Sequence, residues 1–323
     1  MEILQVNENV TFSHTTFLLL GFPQFTRSRT LLIIPFLAVY VAILSGNSLL
    51  IYQIWVEKTL HSPMYMLISL LFIVNVSCTN TILPPFLLSL VFGYYWISLS
   101  SCLVQMSFIY LSVIIESAVL VMMALDRYIA ILKPLHYHDI MTKHLLYQLV
   151  SIALVRGIIL VCPIVISVSK VHFCGSNVIQ SFACENMVLL NLGCGDISGV
   201  HIIALTIRIF VSALDSSLIL ISYLDILHAT MKIVRGQALR KALYTCSTHL
   251  IVAMLCYTSG FLSSIVYRIG PAIPVNMQNL TSAIYFLFPA AVNPIIYGLR
   301  VKEIKNCMLR VYRRKKVHEP VQN

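Results

Sequence analysis

The chain has 323 residues, 59% of them apolar and 11% charged, with a formal net charge of +10 and a mean hydropathy of +0.87. A soluble domain carries about 25% Asp, Glu, Lys and Arg. Less than half that share cannot clothe a water-facing surface, which excludes a soluble globular domain and makes lipid the solvent for much of the chain.

A helix that crosses the hydrocarbon core needs roughly 20 mostly apolar residues, and the gaps between charges locate such stretches. Residues 1–29 precede the first gap and read as an extracellular N-terminus. They contain no basic region followed by a cleavable apolar run, so no signal peptide is expected, and the sequon Asn9-Val10-Thr11 suits an outward segment. Thr30 to Val56 lacks any charge and makes the first helix. Thr59 to Ile115 also lacks charge but is too long for one span; Gly93 and the run Tyr94-Tyr95-Trp96 divide it into the second and third helices. His144 to Ser169 (interrupted by Arg156), Ile197 to Leu224 (interrupted by Arg208 and Asp215), Ala242 to Tyr267, and Ile269 to Leu299 complete the set. The expected fold is therefore an all-α seven-transmembrane bundle over residues 30–299. Continuous spans exclude an outer-membrane barrel, whose strands alternate and run about 10 residues. In residues 300–323, Val301, Ile304, Met308 and Val311 follow helical spacing, while Lys302, Lys305 and Arg310 take other faces. That pattern predicts a short amphipathic helix on the inner leaflet, followed by a cytoplasmic tail.

Basic residues orient the bundle. With the N-terminus outside, the cytoplasmic segments hold Lys58, Arg127, Lys133, Lys143, Lys232, Arg235, Arg240, Lys241 and eight more from Arg300 to Lys316. The outer side holds only Arg27, Arg29, Lys170 and Arg268. Topology and anionic membrane lipid thus account for the positive charge, and no nucleic-acid partner is implied. Under this orientation the sequon at Asn75 lies in mid-membrane and should stay bare, and that at Asn279 lies beside the seventh helix.

Of nine cysteines, Cys78, Cys162, Cys246 and Cys256 fall in or beside helices and read as small apolar residues. Cys102 opens the third helix on the outer side, and Cys174, Cys184 and Cys194 lie in the long loop after the fourth. Four outward cysteines in an oxidising compartment imply two disulfides, for which sequence permits three pairings. CxxC spacing is absent, so no metal or other cofactor is expected. Cys307, beside basic residues, is a candidate for palmitoylation or a free thiol.

Ionisable residues inside a membrane are costly and mark candidate functional sites. Asp126 and Arg127 adjoin at the cytoplasmic end of the third helix, where Arg127 can pair with Asp126 at rest and release when a partner inserts. Glu116 precedes Arg127 by 11 residues, which returns it to within about 20° of the same face and roughly 16 Å higher. Asn75 and Asn293 are its expected neutral neighbours; a lone carboxylate there tends to stay protonated. Arg208 has Asp215 seven residues below it, the spacing of an intrahelical pair. On the sixth helix, Ser264 and Arg268 share a face with Tyr257, so an inward Tyr257 would put both in the wall of an outer cavity with Phe108, Phe261 and Tyr285. Tyr110 on the third helix is a further pocket candidate. Arg268 can equally be a charge reaching water at a helix end. Pro294 should bend the seventh helix.

In order, the chain carries Gly46-Asn47, then Leu60-His61-Ser62-Pro63-Met64-Tyr65, then Met123-Ala124-Leu125-Asp126-Arg127-Tyr128, and Ser222-Tyr223. Next come Lys241-Ala242-Leu243-Tyr244-Thr245-Cys246-Ser247-Thr248-His249-Leu250, Pro289, and Asn293-Pro294-Ile295-Ile296-Tyr297. From about Phe17 to Arg310 this set resembles an olfactory receptor of the rhodopsin-like, G-protein-coupled kind. Leu214-Asp215 and Val155-Arg156-Gly157 resemble its class I, fish-like branch. The resemblance implies that Tyr223 and Tyr297 receive Arg127 in the active state. It ties Cys184 to Cys102, leaving Cys174 with Cys194. It also makes Ser264 and Arg268 an anchor for acidic odorants, and it implies a stimulatory olfactory G protein as partner. Rhodopsin-like receptors usually place an Asp where this chain has Asn75, which puts sodium binding near Glu116 in doubt.

Other readings fit less well. A transporter would show internal repeats or matching broken helices, and an enzyme a metal or nucleophile cluster; neither pattern is present. A rhodopsin-like receptor for an amine would want a carboxylate between Gln105 and Ile115, and there is none.

Overall fold

The computed structural model describes residues 13–25, 29–233, 237–269 and 272–309. Asn9, Arg27, Arg235 and the tail from Arg310 onward lie outside the described residues. Among those described, seven helices are long and apolar enough to cross a bilayer. They are helix one (Ile33–Val56), two (Pro63–Phe92), three (Leu99–Leu132), four (Lys143–Ser169), five (Ser198–Ile233), six (Gln237–Ile269) and seven (Val275–Arg300). The seven-helix expectation holds, but charge-free windows understate length. Helix three continues past Asp126 and Arg127, and helix five past Asp225 and Lys232. A helix satisfies its own backbone, so leaving hydrocarbon gives it no reason to stop.

Local chemistry sets several ends. Pro63 occupies the first turn of helix two, where its missing N–H costs nothing. Gly93 ends that helix at φ 76°, a left-handed cap that a side chain disfavours. Ser98 and Thr142 accept from the N–H groups of Ser101 and Leu145, both at 3.2 Å, capping helices three and four.

Prolines inside the helices leave carbonyls four residues earlier without a donor, and at two of them a neighbouring helix supplies one. Pro294 orphans the carbonyl of Ala290, which Asn47 Nδ2 meets at 3.0 Å. Pro85 orphans that of Thr81, which Gln105 Nε2 meets at 2.8 Å. Helix one lies against helix seven here, with Gly46 opposite Pro294; a Cβ on Gly46 would sit 3.4 Å from Pro294, an ordinary contact.

The outer end carries a lid. Strand β1 (Thr16–Leu19) lies between β2 (Trp96–Ser98), antiparallel to it, and β3 (Val178–Ile179), parallel to it. Disulfides Cys102–Cys184 and Cys174–Cys194 fasten the loop that carries β3. That loop turns inward: Ser181 to Asn186 are buried, and a short helix, Asn186–Leu190, follows. Phe17, Leu19, Phe173, Leu189 and Leu190 are fully enclosed, so the lid has its own apolar core. Asn279, 1% exposed, donates to the carbonyl of Gln180, and Asn75 is 3% exposed; neither sequon presents its amide for a glycan.

At the cytoplasmic end a short helix covers residues 302–309. Its apolar face differs from expectation. Val301, Ile304 and Cys307 are buried with Leu60, Met64 and Tyr297, so the face meets the bundle floor before it meets the leaflet. The Cys307 thiol lies 3.9 Å from Glu57 Oε2.

Candidate functional site

Four polar clusters line the bundle axis from cytoplasm to outer face. At the bottom, Asp126 is fully buried and accepts from Arg127, through Nε at 2.9 Å and through Nη2, and from Tyr137 Oη at 2.7 Å. Tyr137 belongs to the loop helix Tyr137–Ile140, so the carboxylate ties that loop to helix three. Tyr223 and Tyr297 are buried nearby but make no hydrogen bond to Arg127 among the described residues. Tyr297 instead meets His249 Nδ1 at 3.3 Å, and Tyr223 Oη has no partner among the described residues.

One group here was invisible to sequence reasoning. Arg300, at the end of helix seven, donates through Nε to Thr248 (3.0 Å) and through Nη2 to Ser247 (2.7 Å) of helix six. Its guanidinium also lies 4.4 Å from the centre of the Tyr244 ring. In the sequence it is one basic residue among many that report only topology.

In mid-bundle, Asn75 donates to Asn47 Oδ1 at 3.2 Å. Asn75, Cys78, Glu116 and Tyr285 line a small cavity with room for about one water. Glu116 accepts from the Cys256 thiol at 3.3 Å. Asn293, expected beside Glu116, is fully buried, has neither side-chain polar atom bonded among the described residues, and does not line that cavity.

The third cluster corrects the expected Arg208–Asp215 pair. Asp215, fully buried, takes Arg156 of helix four at 2.8 Å and Ser117 Oγ of helix three at 2.6 Å. Ser117 also meets Tyr257 Oη of helix six at 2.7 Å. Seven residues is about 10.5 Å of helical rise, too far for a short bond along one helix, whereas Arg156 arrives from the side.

In the outer half, Arg208 is half-buried, donates through Nη2 to the carbonyl of Gly260 at 2.7 Å and lies 5.6 Å from the Tyr285 ring centre. Above it the loop presents Glu185, 7% exposed, whose Oε1 accepts from Ser282 Oγ at 2.8 Å. Burial pushes the Glu185 carboxyl up to about 7; Ser282, Arg208 and Tyr267 pull the other way. Tyr110 donates to Asn186 Oδ1 at 2.5 Å and accepts the Asn186 N–H at 2.9 Å.

The expected wall is only partly there. Phe108 and Phe261 are 55% and 69% exposed and face away from the axis. Arg268 is exposed and Ser264 half-buried. The inward line of helix six runs through Gly260, Ser263 and Tyr267, with Ser263 Oγ 3.4 Å from Ser282 Oγ. Tyr257 reaches the core from the flank of the helix, so a face anchored on it is turned by about one residue, roughly 100°. Asp196, the other loop acid, accepts from the Ser198 N–H at 3.0 Å at the start of helix five.

The architecture is that of a rhodopsin-like receptor. The crystal structure of squid rhodopsin matches it with a TM-score of 0.71, covering 89% of this chain and 86% of that one, at 14% identity, a likeness of fold alone. The family model described as olfactory receptor matches residues 36–315. Human Olfactory receptor 52K1 is 35% identical over 308 residues, 95% of this chain and 98% of its own. Human Olfactory receptor 52B6 is 37% identical over 287 residues, 88% of this chain and 85% of its own. The chain belongs to the olfactory receptor family, G-protein-coupled signalling receptors rather than enzymes.

Proposed function

We propose that this receptor binds a small acidic odorant in the outer half of its bundle and activates a stimulatory olfactory G protein, raising cyclic AMP. In this reading residues 1–29 are extracellular, residues 300–323 are cytoplasmic, and the protein works at the plasma membrane of olfactory cilia. One observation carries the choice of ligand: Arg208, half-buried between helices five, six and seven, has a backbone carbonyl as its hydrogen-bond partner and, among the described residues, no carboxylate bonded to it. A guanidinium in such a place suits a carboxylate held bidentately. In this reading Arg268, exposed above it, draws anions toward the site, and Ser264, Tyr257 and Tyr110 are the further ligand-binding residues. In the rival arrangement Arg268 itself holds the ligand.

The test is a cyclic-AMP reporter in cells, read against short carboxylic acids and their alcohols and methyl esters. Acids should activate and the neutral analogues should be much weaker. Leaving a buried charge unpaired costs about 3–5 kcal/mol, so the difference should exceed roughly a hundredfold. Arg208→Gln should erase the preference while Arg268→Gln weakens it. The opposite result places the anchor at the rim, and equal responses to acids and esters reject an acidic ligand.

A further inference from the structure

Glu185 is an odd neighbour for an anion site. It sits on the inner face of the loop and holds Ser282 at 2.8 Å, one turn along helix seven from Tyr285, whose ring centre lies 5.6 Å from the Arg208 guanidinium. An anionic ligand reaching Arg208 would therefore come within about one helical turn of a second carboxylate, not bonded to Arg208 but facing the same site. Two carboxylates sharing one cation in a low-dielectric site cannot both stay ionised at neutral pH without a large cost.

Either Glu185 moves away or it loses its charge, and the surroundings oppose movement. The preceding residue, Cys184, is fully buried, bonded to Cys102, and donates its N–H to Gln105 Oε1 at 2.9 Å. The following residue, Asn186, is held at both its side chain and its N–H by Tyr110. Glu185 itself is gripped by Ser282. With the backbone pinned on both sides, neutralisation is the easier route.

We propose that Glu185 links ligand binding to a proton: an anionic ligand at Arg208 binds together with one proton from the outer solution, which settles on the Glu185 carboxylate. The balance is simple. Ligand anion and proton enter together, no covalent bond to carbon changes, and the net charge of the site is conserved. The titratable and charged groups facing Glu185 are Tyr110 from helix three, Arg208 from helix five and Tyr267 from helix six. Tyr285 from helix seven and Arg268 act on it through Arg208. The loop's other ionisable residues outside the disulfides, Lys170, His172 and Asp196, are exposed at its surface. The Glu185 carboxyl, pushed by burial up to about 7, is already balanced between its two forms near neutral pH.

The inference rests on the acidic-ligand reading, and the experiment separates the two. The EC50 of a short aliphatic carboxylate is measured at the cell surface between about pH 6.5 and pH 8, where the ligand itself stays ionised. If bound anion holds Glu185 protonated throughout, linkage makes the EC50 rise about fivefold to tenfold across that range. Glu185→Gln should flatten the profile near its low-pH level. Ser282→Ala removes a donor to the ionised form and should move the midpoint to higher pH with Glu185 still in place, which keeps a test available if the Gln variant fails to reach the surface. An EC50 independent of pH in the parent receptor, the same slope in Glu185→Gln, or an unmoved midpoint in Ser282→Ala overturns the proton link while leaving the acidic ligand standing. No response to acids at any pH, with normal surface level, rejects both.

Discussion

Asp215 offers the sharpest test of how the bundle is held together. Its carboxylate is fully buried, Arg156 opposite it is 25% exposed, and Ser117 supplies a second donor at 2.6 Å. Interhelical hydrogen bonds in membranes average about 0.6 kcal/mol and reach roughly 1.7, so Ser117→Ala should cost about that. Asp215→Ala is different in kind. It leaves a guanidinium in the bundle without its counter-ion, a loss of about 3–5 kcal/mol. Replacing both charges with apolar groups, as in Arg156→Leu with Asp215→Leu, should recover most of it, because a buried pair often contributes little against a well-packed apolar isostere. The assay is thermal stability of the detergent-solubilised receptor, followed by size-exclusion fluorescence, across the single and double variants. The expected ranking of melting temperature is parent, then Ser117→Ala and the double variant, with Asp215→Ala lowest. If the effects of Asp215 and Arg156 substitutions add within about 0.5 kcal/mol, the two residues are not coupled and the reasoning fails.

Arg127→Ala should abolish agonist-driven cyclic AMP with surface level intact; full signalling would reduce the Asp126–Arg127 pair to an anchor. Arg300→Ala should raise ligand-independent cyclic AMP by freeing the cytoplasmic part of helix six. Arg300→Lys, which lacks the planar fork that meets Ser247 and Thr248 together, should fall between, and unchanged basal signalling in the Ala variant would discard the clamp. Exchanging sodium for a bulky organic cation should shift agonist potency little, since Asn75 stands where a second carboxylate would help Glu116; a large shift refutes this. Cys174→Ser should lower stability by about 3 kcal/mol for the loop it opens, and peptide mapping that joins Cys102 to Cys174 would contradict the pairing.

Seven spans were legible because the bilayer imposes one rule, continuous apolar length, that charge gaps report directly. Helix ends were less so, since nothing stops a helix from continuing into water. The pairing of Asp215 was misread for a related reason. Periodicity along one helix says which residues share a face, but not what another helix brings to it, and Arg156 came from elsewhere. Helix six shows the cost of an assumed anchor: with Tyr257 set inward, Ser264 and Arg268 follow, whereas Gly260, Ser263 and Tyr267 hold the axis. Glu185 left no periodic trace at all, because a loop takes its inward turn from a disulfide and a few hydrogen bonds. The compensations for Pro85 and Pro294 by Gln105 and Asn47 were likewise hidden, since each joins residues on different helices.

The lid sets a tempo as well as a shape. Strand β1 is hydrogen-bonded to both β2 and β3, and the loop beneath it is fastened by two disulfides. For a ligand that passes this way, parting of the lid would be a step on the path, slowing arrival below the diffusion limit and timing departure by the same opening. Two odorants of unequal affinity would then leave at similar rates whenever opening is the slow step. Responses would outlast the stimulus by an interval that belongs to the receptor, and trimming the chain into Thr16–Leu19 would shorten it.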